Sequence, residues 1–210
     1  MKLGEGCFAK VLKCKRITDE RQFALKWMHN TSGQETQQKI MQECALNRVL
    51  DCNYVVKLED IFVHGERIHV FFELMDRDMS KLPFVYNEEF CKYSIYCVAK
   101  GLQIMHSKNI LHRDLKSENI LCNERGEVKL ADLGLSVFLT DERGQRNTLQ
   151  GGIVFYSPEL AKNENYGKEI DVWAFGCFAF ELATGLTPFQ QRTEYGTLNA
   201  ILSNNAAPSI

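Results

Sequence analysis

The sequence of 210 residues predicts an α+β chain of two lobes, a small β-rich lobe with one helix and a larger, mainly helical lobe. Three observations predict this arrangement. Apolar residues alternate as in strands through much of residues 1–75, a single helical pattern interrupts them, and helical patterns dominate residues 88–210. We place the lobe boundary near Met75 to Asp78, where the polar stretch MDRDMSK follows an apolar strand.

Composition places the chain among globular proteins. Hydrophobic residues make up 45% and charged residues 25%, and the net charge of -2 predicts neither a nucleic-acid nor an anionic-membrane surface. The longest apolar run, Val172 to Phe180, is shorter than the roughly 20 residues of a membrane span and predicts a buried helix. Eight scattered cysteines without a C-x-x-C pair, and no secretory signal in MKLGEGCFAK, favour a cytoplasmic protein, with the nucleus also possible.

The first elements are two strands between Val11 and Met28, joined by a polar turn at residues 18–21. The second strand has one set of side chains on each face: Phe23, Leu25 and Trp27 on one, and Ala24, Lys26 and Met28 on the other. Before them, LGEGCFAKV carries two glycines that would let the backbone approach phosphates. A hairpin turn explains these glycines equally well, and the segment fits neither a Rossmann nor a Walker motif.

The next element is a helix over Glu35 to Leu50. Its inward stripe contains Ile40, Glu43, Asn47 and Leu50. A buried carboxylate needs a partner, and an inward Lys26 on the preceding strand would satisfy Glu43. Another apolar strand follows at Ile68 to Leu74.

The larger lobe begins with a helix over Glu88 to His106. Phe90, Tyr93, Cys97 and Ile104 share one side of this helix. A short strand containing Val128 and Leu130 then ends at Asp132.

Between these elements lies ILHRDLKSENILC, in which charged residues stand between two apolar pairs, Ile110-Leu111 and Ile120-Leu121. The pattern predicts a loop held between buried flanks. Together with Asp132, its Asp114 and Asn119 supply the hard oxygen ligands that suit Mg²⁺.

Six motifs in order now resemble those of a eukaryotic protein kinase domain of the serine/threonine type: GEGCFAKV, FALK, HRDLKSEN, DLG, SPE and DVWAFG. The resemblance spans nearly the whole chain. Compared with the usual extent of that family, we expect a partial domain, shortened at both ends.

The resemblance implies ATP- and Mg²⁺-dependent transfer of the γ-phosphate to Ser and Thr hydroxyls of a protein substrate. The catalytic set it implies is Lys26, Glu43, Asp114 and Lys116, and the metal ligands are Asn119 and Asp132. The implied ATP-binding set is Leu3, Gly4, Glu5, Gly6, Cys7, Phe8, Ala9, Lys10, Val11, Ala24, Lys26, Phe72, Glu73, Met75, Asp78 and Leu121. Within it, Phe72 would be the gatekeeper, and Asp78 would contact the ribose.

The resemblance also implies regulation. Arg113 precedes the catalytic aspartate, and Thr148 lies in the segment from Asp132 to Glu159, where an upstream kinase would add a phosphate that pairs with Arg113. No nucleic acid or membrane partner is expected, and the oligomeric state stays open.

Three residues depart from the family pattern. Ala9 replaces the third loop glycine, a change that relatives tolerate. Asn47 replaces an apolar residue that packs against Leu133, which we expect to weaken that packing. Gly152 replaces the Ser or Thr that bridges the catalytic Asp and Lys, which we expect to loosen Asp114 and Lys116. A nucleotide-binding scaffold with weak or no catalysis is therefore the alternative function.

Overall fold

The structure, a computed structural model, describes residues 2–5, 9–28, 34–65, 67–82, 87–139 and 152–203. The side chains of Glu5, Ala9, Met28, Gln34 and Glu35 lie outside this description. Within these ranges the chain is α+β, as predicted, with a β-sheet lobe followed by a helical lobe.

The first lobe contains one antiparallel sheet and one helix. Its strands are β1 (Lys2–Glu5), β2 (Ala9–Lys15), β3 (Gln22–Met28), β4 (Leu58–His64) and β5 (Arg67–Glu73), in the spatial order β1-β2-β3-β5-β4. Helix α1 (Gln34–Val49) packs on the sheet through Ile40 and Cys44, which contact Ile68 and Val70.

The predicted hairpin and helix of this lobe are confirmed. The turn between β2 and β3 closes through Arg16, whose amide donates to the Arg21 carbonyl at 2.8 Å, and Asp19 accepts from the Arg21 amide at 3.2 Å. On α1, the predicted inward stripe is buried at all four of its positions.

The second lobe contains helices α2 (Glu88–Ser107), α3 (Pro158–Ala161), α4 (Glu169–Thr184) and α5 (Glu194–Leu202). Short strands form two small sheets, β6 (Arg77–Asp78) with β8 (Ile120–Cys122) and β9 (Val128–Leu130), and β7 (Ile110–Leu111) with β10 (Val137–Phe138). Residues 74–76 connect β5 to β6. One apolar core joins α2 and α4 to these strands, and Met105, Leu130 and Phe178 are fully buried in it.

One expectation about a helix face was wrong. Tyr93 is 47% exposed, although Cys97, one turn further along the predicted face, is buried. The apolar run from Val172 to Phe180 is a helix in the core, as predicted, with Ala174 and Phe178 buried. Val172 itself is 58% exposed, so the run does not face the core at every position.

No helix among the described residues combines the length and the hydropathy needed to span a membrane. The seven described cysteines carry no disulfide bond.

Candidate active site

Lys26 on β3, Glu43 on α1 and Asp132 after β9 meet in one ion-pair cluster. The Lys26 Nζ atom lies 2.7 Å and 3.0 Å from the two carboxylate oxygens of Glu43, and 2.8 Å from Asp132 Oδ1. The Lys26 side chain is only 14% exposed. The predicted pairing of Lys26 with Glu43 is therefore present, and it joins the sheet, the helix and the segment after β9.

The cluster fixes the charge of its members. Burial disfavours the charged form of Lys26, but the carboxylates of Glu43 and Asp132 outweigh burial and raise the Lys26 pKa. Burial raises the pKa of Glu43, and the Lys26 ammonium opposes that shift. For Asp132, burial alone would raise the pKa, but the ammonium lowers it below its ordinary value. A cation for phosphate and an anion for a metal thus lie side by side.

Asp132 depends on an unusual backbone. Its φ is +57°, in the left-handed region that few non-glycine residues adopt, and its Oδ1 accepts from the Gly134 amide at 3.4 Å. A Cβ on Gly134 would lie 3.2 Å from Asp132 Oδ1 and 3.8 Å from Lys26 Nζ. A glycine here lets the backbone approach the ion pair.

The second part of the site is the loop between β7 and β8, here called the catalytic loop (residues 112–119). Both carboxylate oxygens of Asp114 accept from Lys116 Nζ, at 3.0 Å and 2.8 Å, and Oδ2 also accepts from Asn119 Nδ2 at 2.8 Å. Asn119 Nδ2 also donates to the Asp114 carbonyl at 2.8 Å. As predicted, the strands on either side of this loop are buried, and its polar groups converge on Asp114.

Asp171 on α4 fixes the start of this loop, and sequence reasoning missed it. Its carboxylate accepts from the His112 amide and the Arg113 amide, each at 2.9 Å, and lies 2.8 Å from His106 Nε2. The Asp171 side chain is 1% exposed. The available signal was an acid immediately before the apolar run that starts at Val172, because the reasoning that assigned Glu43 a buried partner applies to Asp171 equally.

The loop is also tied to the segment that carries Asp132. The His112 ring lies 3.2 Å from the Ala131 carbonyl through Nε2, and the Ser136 hydroxyl donates to the His112 carbonyl at 3.1 Å. The positions of Asp114 and Asp132 are therefore coupled through His112.

The chemistry of the predicted metal ligands fits Mg²⁺. Because Asn119 uses its amide nitrogen on Asp114, its amide oxygen is the atom that a cation would take, and ionised Asp132 is a hard oxygen ligand. Among the described residues, no three His, Cys, Asp or Glu side chains form a metal-binding group. Two protein ligands suit a cation whose remaining ligands are phosphate oxygens and water.

Several predicted adenine contacts lie around one apolar cluster. Phe72 and Leu121 pack against buried Val56, Met75 and Ala131. On the adjoining strands, Val11 pairs with Lys26 and Ala24 pairs with Phe72. Leu3 is half-buried on β1.

The connection between the lobes is held by the Glu73 side chain. Both of its carboxylate oxygens lie 2.8 Å from Lys129 Nζ, and one accepts from the Lys57 amide at 2.7 Å. The Glu73 amide donates to the Lys57 carbonyl at 3.0 Å. Asp78 accepts from Ser80 and Lys81, and its contact with the ribose stays a prediction.

The remaining predicted residues are only partly described. Gly4 lies on β1, and Lys10 lies on β2 opposite Trp27. Gly6, Cys7, Phe8 and Thr148 lie outside the described residues, as do the side chains of Glu5 and Ala9. Arg113 is buried with its guanidinium carbon 5.8 Å from the centroid of the Tyr166 ring.

The family departure at Asn47 has a local solution. The Asn47 amide donates to the Glu43 carbonyl on the same helix at 3.1 Å, and both Asn47 and Leu133 are buried. The polar group is therefore satisfied within α1, and α1 packs against the turn Leu133–Leu135.

At the other departure, Gly152, Lys116 contacts Asp114 directly. That Gly152 loosens these two side chains stays a prediction. Gly152 borders a cavity of about 20 Å³ that Asp114 and Phe155 also line. A Cβ on Gly152 would meet only Phe155 Cδ2, at 3.9 Å, so the position has room for a Cβ atom.

Comparison with known proteins shows which family the chain resembles. The protein kinase domain family matches residues 1–208. Serine/threonine-protein kinase PLK2 of Rattus norvegicus is 32% identical over 194 residues, 90% of this chain and 28% of the relative. The Aurora kinase of Saccharomyces cerevisiae is 34% identical, covering 95% of this chain and 56% of the relative. Mitogen-activated protein kinase kinase 1 of Arabidopsis thaliana is 32% identical, covering 89% and 54%. The chain thus spans between about a quarter and just over half of these relatives' lengths.

Changing Asp171 to Asn tests how α4 holds the catalytic loop. The two carboxylate oxygens of Asp171 accept hydrogen bonds from the His112 and Arg113 amides. An asparagine side chain has only one oxygen, so one of these buried N–H groups loses its acceptor. We expect the free energy of unfolding to fall by about 1–3 kcal/mol in urea denaturation. The matched control is Asp51→Asn, at an exposed aspartate, which we expect to change stability by less than about 0.5 kcal/mol. Equal effects of the two variants would contradict this role of Asp171.

Proposed function

The chain belongs to the protein kinase domain family, and from that premise we propose that it transfers the γ-phosphate of ATP to Ser and Thr hydroxyls of protein substrates. One observation carries this proposal: the Lys26–Glu43–Asp132 cluster and the Asp114–Lys116–Asn119 cluster lie on segments coupled through His112. These groups are what phosphoryl transfer needs, namely positioning and charge neutralisation.

Nucleotide binding divides between two parts of the site. The cluster around Phe72, Met75 and Leu121 provides an apolar surface for adenine, and the Glu73 carbonyl provides an acceptor for its amine. Lys26 is held cationic by its carboxylates and would contact the phosphates. Ligand pockets combine apolar walls and a few placed polar groups in this way.

Asn119 and Asp132 would hold Mg²⁺ through their side-chain oxygens. When bound, the cation would neutralise charge on the phosphates. The protein's own part is orientation, because Asp132 is fixed by Lys26 and Asn119 is fixed by Asp114.

Asp114 would orient the substrate hydroxyl and accept its proton as the hydroxyl oxygen bonds to the γ-phosphorus and ADP leaves. Three hydrogen bonds from Lys116 and Asn119 hold its carboxylate in place. Lys116, two residues after Asp114, occupies the position that contacts the γ-phosphate in serine/threonine kinases, which supports Ser and Thr as acceptors. Membership of the protein kinase domain family supports proteins as the substrates. The free cysteines among the described residues support a cytoplasmic or nuclear location.

Changing Asp114 to Asn separates catalysis from the alternative function, a nucleotide-binding scaffold. The amide cannot take the hydroxyl proton, so we expect phosphate incorporation into a Ser/Thr protein substrate to fall at least about 100-fold. Thermal-shift titration with Mg-ATP should give an affinity within about threefold of wild type. Asp51→Asn is again the control. Equal phosphate incorporation by wild type and Asp114→Asn, with ATP still bound, would contradict the enzyme function and favour the nucleotide-binding scaffold.

Changing Gly152 to Thr tests whether the cavity beside Asp114 limits the rate. The Cβ atom has room, and a hydroxyl could add a hydrogen bond to Asp114 or Lys116, so we expect kcat to rise roughly two- to tenfold. Gly152→Val, which has nearly the same shape as threonine but no hydroxyl, is the control. If the Val and Thr variants have the same kcat in steady-state assays, the hydroxyl has no part in catalysis.

We also propose control by phosphorylation at Thr148, paired with Arg113. In a preparation fully phosphorylated by an upstream kinase, Thr148→Ala should lower kcat at least about tenfold and leave Mg-ATP affinity unchanged. Thr140→Ala, at another threonine of the same segment, is the control. An unchanged kcat in the Thr148 variant would remove this proposal.

A further inference from the structure

We propose that Glu181 is a positioning residue that acts through Ser117 to hold the far end of the catalytic loop. The kinetic part of this inference rests on the proposed kinase function, and its structural part does not. Nothing in the local sequence pattern joins these two residues, which lie 64 positions apart.

The contact itself is a hydrogen bond from the Ser117 hydroxyl to Glu181 Oε2. Ser117 is only 4% exposed, and it begins the short 3-10 turn Ser117–Asn119. That turn is closed by the Asn119 amide, which donates to the Lys116 carbonyl at 2.9 Å. Ser117 therefore lies between the two residues that donate to Asp114.

The position of Glu181 along α4 determines which part of the catalytic loop this bond holds. Asp171 on the same helix holds the loop before Asp114, through the amides of His112 and Arg113. Glu181 lies ten residues further along, about 15 Å in a helix, and holds the loop after Asp114. One rigid helix thus fixes the catalytic loop on both sides of the catalytic aspartate.

Asp171 alone does not fix the second side. The contacts that connect Lys116 and Asn119 to Asp171 run indirectly, through Asp114, through Ala131 and His112, and through the intervening backbone. Ser117 instead bonds to α4 directly. Without the Ser117–Glu181 bond, the turn would keep its own backbone hydrogen bonds but would no longer be held in a fixed position relative to α4. We therefore expect misplacement of Lys116 and Asn119 relative to Asp114.

The surroundings of Glu181 suit a fixed acceptor. It is half-buried, and Glu118 on the loop and Cys177 on α4 are the titratable groups near it. Burial raises the Glu181 pKa, and the Ser117 hydroxyl opposes that rise by stabilising the carboxylate. Because an amide oxygen accepts the same bond, Glu181→Gln should preserve the contact.

The kinetic test is a double-mutant cycle on the whole chain. Ser117→Ala and Glu181→Ala should each lower kcat roughly three- to tenfold, with the KM for Mg-ATP within about twofold of wild type. The double variant should be no slower than the slower single variant, because both substitutions remove one interaction. Glu181→Gln should retain at least about half of wild-type kcat, as should Glu164→Gln, the control at an exposed acid outside the catalytic loop.

Hydrogen exchange tests the same bond without catalysis. Ser117→Ala and Glu181→Ala should speed exchange of the Asn119 and Ala131 amides, which bond within and next to the turn, while Glu181→Gln and Glu164→Gln leave it near wild type. If wild type transfers no phosphate, the proposed function fails and exchange alone decides the role of Glu181. Unchanged exchange, additive losses of kcat, or a Glu181→Gln variant as impaired as Glu181→Ala would each overturn the proposal.

Discussion

A buried ammonium must have carboxylates beside it, and this requirement at Lys26 organises the site. Glu43 meets it from α1 and Asp132 from the segment after β9, so a sheet, a helix and a loop are brought to one point. Replacing Glu43 or Asp132 with a neutral residue would leave the Lys26 ammonium with one carboxylate partner instead of two, at a position with little exposure to water. Lys26 therefore connects the two lobes at the cleft.

Helix α4 serves the second lobe in a related way. It is largely apolar, and the two acids that it turns toward the catalytic loop, Asp171 and Glu181, each accept hydrogen bonds from that loop. Without these hydrogen bonds, a loop with many charged side chains would be more stable in water than packed against an apolar core. Anchoring its backbone and one hydroxyl on a buried helix keeps Asp114 at a fixed place while the residues around it stay polar.

Local periodicity was enough to predict much of this arrangement. The stripe on α1 and the alternation on β3 identified Glu43 and Lys26 as partners, because each pattern reports which way a side chain points. The helical period alone does not tell how wide a buried stripe is, and Tyr93 is exposed for that reason. It also does not tell which side of an apolar helix is covered, as the exposed Val172 shows. Contacts such as Asp171 with His112 depend on where distant segments meet, and no local pattern encodes that meeting.

The charges that assemble the cleft also determine what it can accept. With its members ionised, the site holds Lys26 and Lys116 against Glu43, Asp114 and Asp132, a surplus of one negative charge. This surplus would repel a bare polyphosphate. For the proposed function, we therefore expect the cleft to favour a nucleotide whose charge a divalent cation has already partly neutralised, so divalent cation concentration would control occupancy before any step of chemistry.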